Sequence, residues 1–285
     1  MGTESAAARL ALQPALMRAR GLSKRYVQRT PFSRRSFAIE ALVDVNFEIA
    51  PGCLTALIGQ SGSGKSTLAS CLAMMEKPDY GEIWFEGSEI SHWSRRKLAP
   101  LRPRIQMVFQ DSAGALDPRF SAAQVIEEPL QIQHRERGQN LRVRACQLME
   151  EVGLSPDWAN RSPLELSGGQ RQRLAIARAI ALKPSLLILD ESLSGLDLST
   201  QAQILNLLLD LKAAHSLTCL LITHDLSLVG QIADFVAVMH QGRIVECGSA
   251  PQVLASAQHP QTCKLLASVQ LLETAFRTAR AGGRG

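Results

Sequence analysis

One short stretch constrains this chain more than any other: Gly59-Gln60-Ser61-Gly62-Ser63-Gly64-Lys65-Ser66-Thr67. An apolar run of strand length, residues 53–58, leads into it, and residues 68–74 after it have helix-forming composition. This is the G-x-x-x-x-G-K-[ST] pattern in the strand–loop–helix setting that a phosphate-binding loop needs. Glycines at 59, 62 and 64 reach backbone conformations closed to residues with a Cβ, so successive N–H groups can turn inward on a phosphate. The helix that follows presents its positive end to the same anion. Lys65 is placed to reach the β- and γ-phosphates and the Ser66 hydroxyl to ligate Mg²⁺. A chance glycine-rich turn would not also bring the strand, the lysine and the serine at the right spacing. The stretch implies that the chain binds a nucleoside triphosphate.

A second anchor lies in Leu186-Leu187-Ile188-Leu189-Asp190-Glu191. Four apolar residues predict a buried strand, and acids at the C-terminal end of such a strand lie where α/β sheets hold ligands. Asp190 fits a Mg²⁺ ligand acting through water, and Glu191 a general base for the attacking water. The third feature is Leu166-Ser167-Gly168-Gly169-Gln170, followed by a helical run over 171–180. Ser167 and the glycine N–H groups stand at that helix N-terminus, a second anion cradle in a chain that already has one.

Around these anchors the chain reads as α/β. Strands are predicted at 17–27, 37–49, 81–87, 105–109, 218–223, 235–239 and 243–246, the first pair separated by a basic loop over 28–36 that contains Pro31. Residues 121–166 change to helical spacing, with a helix at 141–152, and another helix spans 201–214. Strands alternating with helices imply a largely parallel sheet covered on both faces. No apolar run approaches the ~20 residues that span a bilayer, and the short run 10–17 followed by basic residues is a poor signal peptide, which places the protein in the cytosol. Six cysteines show no C-x-x-C pair and suggest core residues, neither a disulfide framework nor a zinc site. The net charge of +5 is concentrated at the ends: residues 1–37 carry eight Lys/Arg against one acid, and 264–285 four against one. Charges this dispersed read as solvated tails, so no nucleic-acid partner is expected.

Taken together, the three motifs resemble the ATP-binding cassette (ABC) family over roughly residues 17–270. In that resemblance Gly59, Ser61, Gly62, Ser63, Gly64, Lys65, Ser66 and Thr67 form the Walker A loop, 186–190 the Walker B strand, and Ser167, Gly168, Gly169 and Gln170 the family signature. Gln110 resembles the Q-loop glutamine that senses metal and attacking water, 194–197 the D-loop, and His224 the switch histidine on the γ-phosphate. Tyr26 is similar in placement to the aromatic that stacks on adenine. The resemblance implies a P-loop NTPase fold with a mainly parallel core sheet, an antiparallel β subdomain and an inserted helical subdomain at about 111–181. It leaves residues 1–16 as a disordered N-terminus and 271–285 as a basic tail. Catalysis falls to Glu191, His224, Lys65 and Gln110, and Mg²⁺ to Ser66, Gln110 and Asp190, with ATP and Mg²⁺ as cofactors.

A narrower resemblance, to oligopeptide and dipeptide importer ATPases, rests on residues 108–119, 194–206 and 259–266. The basic insertion at 28–36 suits the second of the two ATPase subunits of such importers. Ser192 stands where those relatives carry Pro and Gln261 where they carry Tyr. Nickel, glutathione and opine importers share the same motifs. The implied protein is a peripheral ATPase on the cytoplasmic face of the inner membrane. Its partners are permease subunits, a second, identical or homologous, ATPase subunit in a head-to-tail dimer and, indirectly, an extracytoplasmic solute-binding protein. A soluble DNA-repair or translation ATPase would bring long coiled coils or a second cassette, and neither is present in this sequence. A regulatory subunit that binds ATP without hydrolysis is disfavoured by an intact Glu191 and His224.

Overall fold

The computed structural model describes residues 14–29, 36–109, 112–133 and 138–267. In chain order its strands are β1 (Met17–Arg29), β2 (Ser36–Ile49), β3 (Leu54–Ile58), β4 (Tyr80–Phe85), β5 (Ser88–Glu89), β6 (Ile105–Val108), β7 (Leu186–Asp190), β8 (Thr218–Thr223), β9 (Phe235–His240) and β10 (Arg243–Ser249). The main helices are α1 (Lys65–Leu72), α2 (Ala122–Ile132), α3 (Gln139–Glu151), α4 (Gly168–Ile180), α5 (Leu198–His215), α6 (Leu226–Ile232) and α7 (Ala250–Ala255). Among the described residues no helix is long and apolar enough to cross a membrane.

The chain divides into two compact units, one of Met1–Ser91 with Thr223–Gly285 and the other of His92–Ile222. In the first, β1 pairs antiparallel with β2 and β4, and β4 with β5. The alternation of β2 is broken between Leu42 and Val45, both buried. The reason is local: Asp44 has φ 52°, and the β1–β2 register shifts on either side of Leu22. A bulge adds one residue and resets which side chains face inward. The same unit holds β3 and β9 as a parallel pair with β10 antiparallel at the edge. Ala56 and Ile58 of β3, Val236 and Val238 of β9, and Leu226, Val229 and Val253 from α6 and α7 form its core.

In the second unit β6, β7 and β8 run parallel, with Leu189 opposite both Val108 and Leu221. Every residue of β7 and β8 is buried, which is why they read as unbroken apolar runs rather than alternating ones. Helix α2 starts on a capping box, Ser121 and Gln124 bonding each other's backbone N–H. Arg178 of α4 reaches Glu128 of α2 at 2.8 Å, joining the signature helix to the inserted helices.

Three of the six cysteines, 53, 71 and 219, are buried, and all six are free thiols. Burial pushes the Cys71 thiol up to about 12, with the Glu76 carboxylate adding to the shift. It is an inert core residue.

Candidate functional site: the phosphate loop and the signature helix

The loop between β3 and α1 folds as its glycines require. A Cβ on Gly59 would lie 2.3 Å from the Met239 carbonyl oxygen, and one on Gly64, at φ 107°, 2.3 Å from the Ala41 carbonyl oxygen. Backbone on two sides excludes any side chain there, leaving the loop's own N–H groups as its inner surface. The turn is stitched by Ser63 N–H to Gln60 O at 3.1 Å and by Gly242 N–H to Ser63 O at 2.9 Å. Lys65 is only 4% exposed, and its Nζ donates to the carbonyls of Gly59 at 2.9 Å and Gln60 at 3.0 Å. The ammonium is therefore held over the loop it serves. Ser66, the next residue, is exposed, as are Ser61 and Gly62 at the loop tip, while Ser63 is buried.

Tyr26, on β1, pairs with Ile39 of β2. Its hydroxyl donates to the Glu76 carboxylate just beyond α1, and it also meets Thr67 within α1. Burial first, then that bond to Glu76, pushes its phenol up to about 12. The ring is thus anchored against the helix that begins at Lys65. Ile39 beside it is half exposed. His224 follows the last residue of β8 and is exposed, and the adjoining turn is closed by Asp225 N–H to the Thr223 hydroxyl at 3.0 Å.

In the second unit Asp190 ends β7 and is 7% exposed. Glu191, the next residue, takes φ 43°, a left-handed conformation uncommon for a residue with a side chain and enriched where function demands it. Its N–H donates to the Ile222 carbonyl at 3.0 Å, and its own carbonyl accepts from the Ser194 hydroxyl at 2.6 Å and the Ser194 N–H at 3.0 Å. The backbone is over-determined on both sides of that residue. This strain had no sequence signal.

The signature begins the helix rather than preceding it. Ser167 is the N-cap of α4, with its hydroxyl accepting from Gln170 N–H at 3.3 Å and its own N–H donating to Gln170 Oε1 at 2.8 Å. Gln170 therefore completes a capping box. The N–H groups of Gly168 and Gly169 are first-turn donors that a helix cannot bond internally. Gly169 has a packing reason of its own: a Cβ there would meet Thr200 Cγ2 at 2.5 Å. Thr200 in turn is held by Asp197, the N-cap of α5, whose carboxylate accepts from its N–H at 2.9 Å and its hydroxyl at 2.7 Å. Those bonds hold the Asp197 carboxyl below the usual range. Gln110, expected in the site, and residues 30–35 of the basic loop predicted over 28–36 lie outside the described residues, while Gln28 and Arg29 extend β1 and Ser36 begins β2.

The ABC transporter family matches residues 42–194, which run from before the phosphate loop to past Glu191. The chain belongs to the ABC transporter family. Among curated proteins it is 42% identical over 269 residues to a probable peptide ABC transporter ATP-binding protein, y4tS, of Sinorhizobium fredii, covering 93% of this chain and 75% of that one. It is 43% identical over 259 residues to the glutathione import ATP-binding protein GsiA of Salmonella typhimurium, covering 90% of this chain. The chain spans less than half, 42%, of the length of that relative. Among solved structures, the ATP-binding cassette MJ0796, determined as a dimer in a post-hydrolysis state with ADP and Pi, is 28% identical with a TM-score of 0.72, over 82% of this chain and 98% of that one. The cassette cbiO1 from Clostridium perfringens, part of the transporter complex cbiONQ, is 29% identical with a TM-score of 0.73, over 86% and 92%.

The cassette fold is thus the one the sequence predicts, a P-loop NTPase with parallel strands, an antiparallel sheet and added helices. Within it, the loop follows a path that backbone contacts at 59 and 64 reserve for glycine, and a buried ammonium stands over it, a charge suited to a phosphate anion. Ser66 of the first unit and Asp190 of the second each carry an oxygen donor of the kind a hard divalent cation takes.

Proposed function

We propose that this cassette hydrolyses ATP to drive solute import through membrane partners. The observation that carries the hydrolytic reading is Glu191, strained at φ 43° directly after the buried Asp190. In this reading the loop amides and Lys65 hold the β- and γ-phosphates. Ser66, Asp190 and Gln110 hold Mg²⁺, which supplies charge neutralisation across the phosphate oxygens. Glu191 takes a proton from water as the water oxygen bonds to the γ-phosphorus. The bond from that phosphorus to the bridging oxygen breaks, and ADP leaves with the electron pair. His224 holds the γ-phosphate side and Tyr26 offers its ring to the adenine. The N–H groups of Gly168 and Gly169, aimed by the Ser167–Gln170 box, close on a triphosphate bound to a second ATPase subunit, so the working form is a head-to-tail pair.

The solute is a peptide or a related small molecule such as glutathione, a reading supported by the similarity to y4tS and GsiA. It is selected by permease subunits and an extracytoplasmic binding protein, with this chain peripheral on the cytoplasmic face. Glu191→Gln tests the chemistry. Binding of ATP should persist while steady-state turnover of the assembled transporter falls by roughly 10²–10⁴-fold, the range of general-base catalysis. Turnover at the unaltered rate would remove Glu191 from that role.

A further inference from the structure

β1 outruns one of its two neighbours. On the β2 side its ladder continues to Arg29, opposite Ser36. On the other side the ladder stops at Ser23, opposite Tyr80, the first residue of β4. Tyr26 therefore lies beyond the last β4 pair, where that edge of β1 has no strand partner among the described residues. The turn that links α1 to β4 takes over the edge. Asp79 N–H donates to the Ser23 carbonyl at 2.8 Å, and Asp79 Oδ2 accepts from Arg25 N–H at 2.7 Å. One residue thus brackets the strand on both sides of Lys24, its carboxylate standing in for the carbonyl that a longer β4 would supply. A backbone N–H bonded to a carboxylate is also stronger than a ladder bond between neutral groups. Lys24 Nζ adds a bond to the Lys77 carbonyl at 2.8 Å, and Glu76 takes the Tyr26 hydroxyl. The Lys24–Asp79 ion pair, 3.5 Å apart and partly exposed, contributes little. This turn follows the helix that begins at Lys65, so it ties the strand carrying Tyr26 to the element carrying the phosphate lysine.

We propose that Asp79 is a positioning residue of the nucleotide site. It acts through Tyr26 rather than by contact with ATP, holding the end of β1 so that the ring stands at a set place relative to the phosphate loop. This rests on the reading of Tyr26 as the residue that stacks on adenine. The gain is preorganisation: a ring already in place loses less freedom when the base arrives. The bond to Glu76 pins the tip of the ring, whereas Asp79 sets the path of the strand beneath it.

The test titrates the full chain, in the presence of Mg²⁺, with ATP and with inorganic tripolyphosphate, which has no base to stack. Asp79→Ala should weaken ATP at least a few-fold, within the roughly 5–150-fold that one base stack is worth, and leave tripolyphosphate unchanged. Asp79→Asn keeps an oxygen for Arg25 N–H and should bind ATP close to the unaltered strength. Unaltered ATP affinity in Asp79→Ala overturns the proposal. Equal loss of both ligands does so too, because the loop itself would then have been disturbed. An Asp79→Asn as weak as Asp79→Ala would mean that charge beside Lys24, not the acceptor, is what counts, and the proposal fails on that result as well. Tyr26→Ala, run alongside, separates this failure from that of the reading beneath it. If Tyr26→Ala binds ATP at full strength, the adenine assignment falls and Asp79 has nothing to position. If Tyr26→Ala is weak while Asp79→Ala is not, only the role of Asp79 falls.

Discussion

At Gly64 the loop's chemistry and its packing meet in one residue. The missing Cβ keeps the chain off the Ala41 carbonyl, and φ 107° is a conformation that only glycine adopts without strain. Gly64→Ala should therefore cost ATP binding by displacing the loop, with the rest of the fold retained. Equilibrium nucleotide binding together with circular dichroism separates the two effects. Lys65→Ala acts differently: it removes the buried ammonium and leaves the loop path intact. Its ATP affinity should fall, and an unchanged affinity would count against the whole reading of the loop. For Tyr26, the bond to Glu76 anchors the ring through its hydroxyl. Tyr26→Phe should keep ATP affinity near normal, while Tyr26→Ala should weaken it by the worth of one base-stacking contact, about 1–3 kcal/mol. Equal affinities for the Phe and Ala variants would remove Tyr26 from the adenine site. The phosphate loop was legible because its residues act through local backbone geometry. The φ of Glu191 was not, since it is enforced by Ile222 and Ser194 through contacts that no spacing rule encodes.

Among the elements, α4 and α5 show where sequence patterns mislead. Glycine is a poor helix former, so the pattern places the start of α4 at Arg171, after the signature. The capping box overrides propensity and starts the helix at Gly168. Likewise α5 starts at Leu198 rather than near 201, because Asp197 caps it. The buried strands β7 and β8 were legible as apolar runs, whereas the bulge in β2 was visible only as a flaw in the alternation. The contact between the two helices supplies a prediction. Gly169→Ala pushes a Cβ to 2.5 Å from Thr200 Cγ2 and should destabilise the unit. Thr200→Ser deletes that methyl but keeps the hydroxyl that Asp197 holds, so the double variant should recover most of the lost stability. Chemical denaturation of the two single variants and the double variant measures the coupling, and simple additivity would mean that the glycine is there for another reason. Removing the cap itself, by Ser167→Ala, should cost about 0.5–2 kcal/mol.

For the whole molecule, two segments of one chain are proposed to answer for a single kind of site. Lys65 and Ser167 belong to different units, and each sits where a helix N-terminus can hold an anion. If each served its own ligand, nucleotide stoichiometry would be two per chain, and damage at Ser167 would leave turnover at the Lys65 loop untouched. If instead ATP is held between subunits, Ser167→Arg sets a bulky cation where first-turn N–H groups must approach phosphate. It also deletes the hydroxyl that accepts from Gln170 N–H. The loss of the cap alone is controlled by Ser167→Ala, which removes the same hydroxyl without the bulk. The expected pattern is that Ser167→Arg binds ATP as a monomer with near-normal affinity, yet neither associates on ATP nor turns it over, while Ser167→Ala retains both to a useful degree. Because the proposed second subunit could be this chain or a homologue of it, the measurement is size-exclusion chromatography of the Ser167→Arg, Glu191→Gln double variant, alone and mixed with that homologue. Dimers that persist on ATP in both runs would show that the signature helix does not close the site.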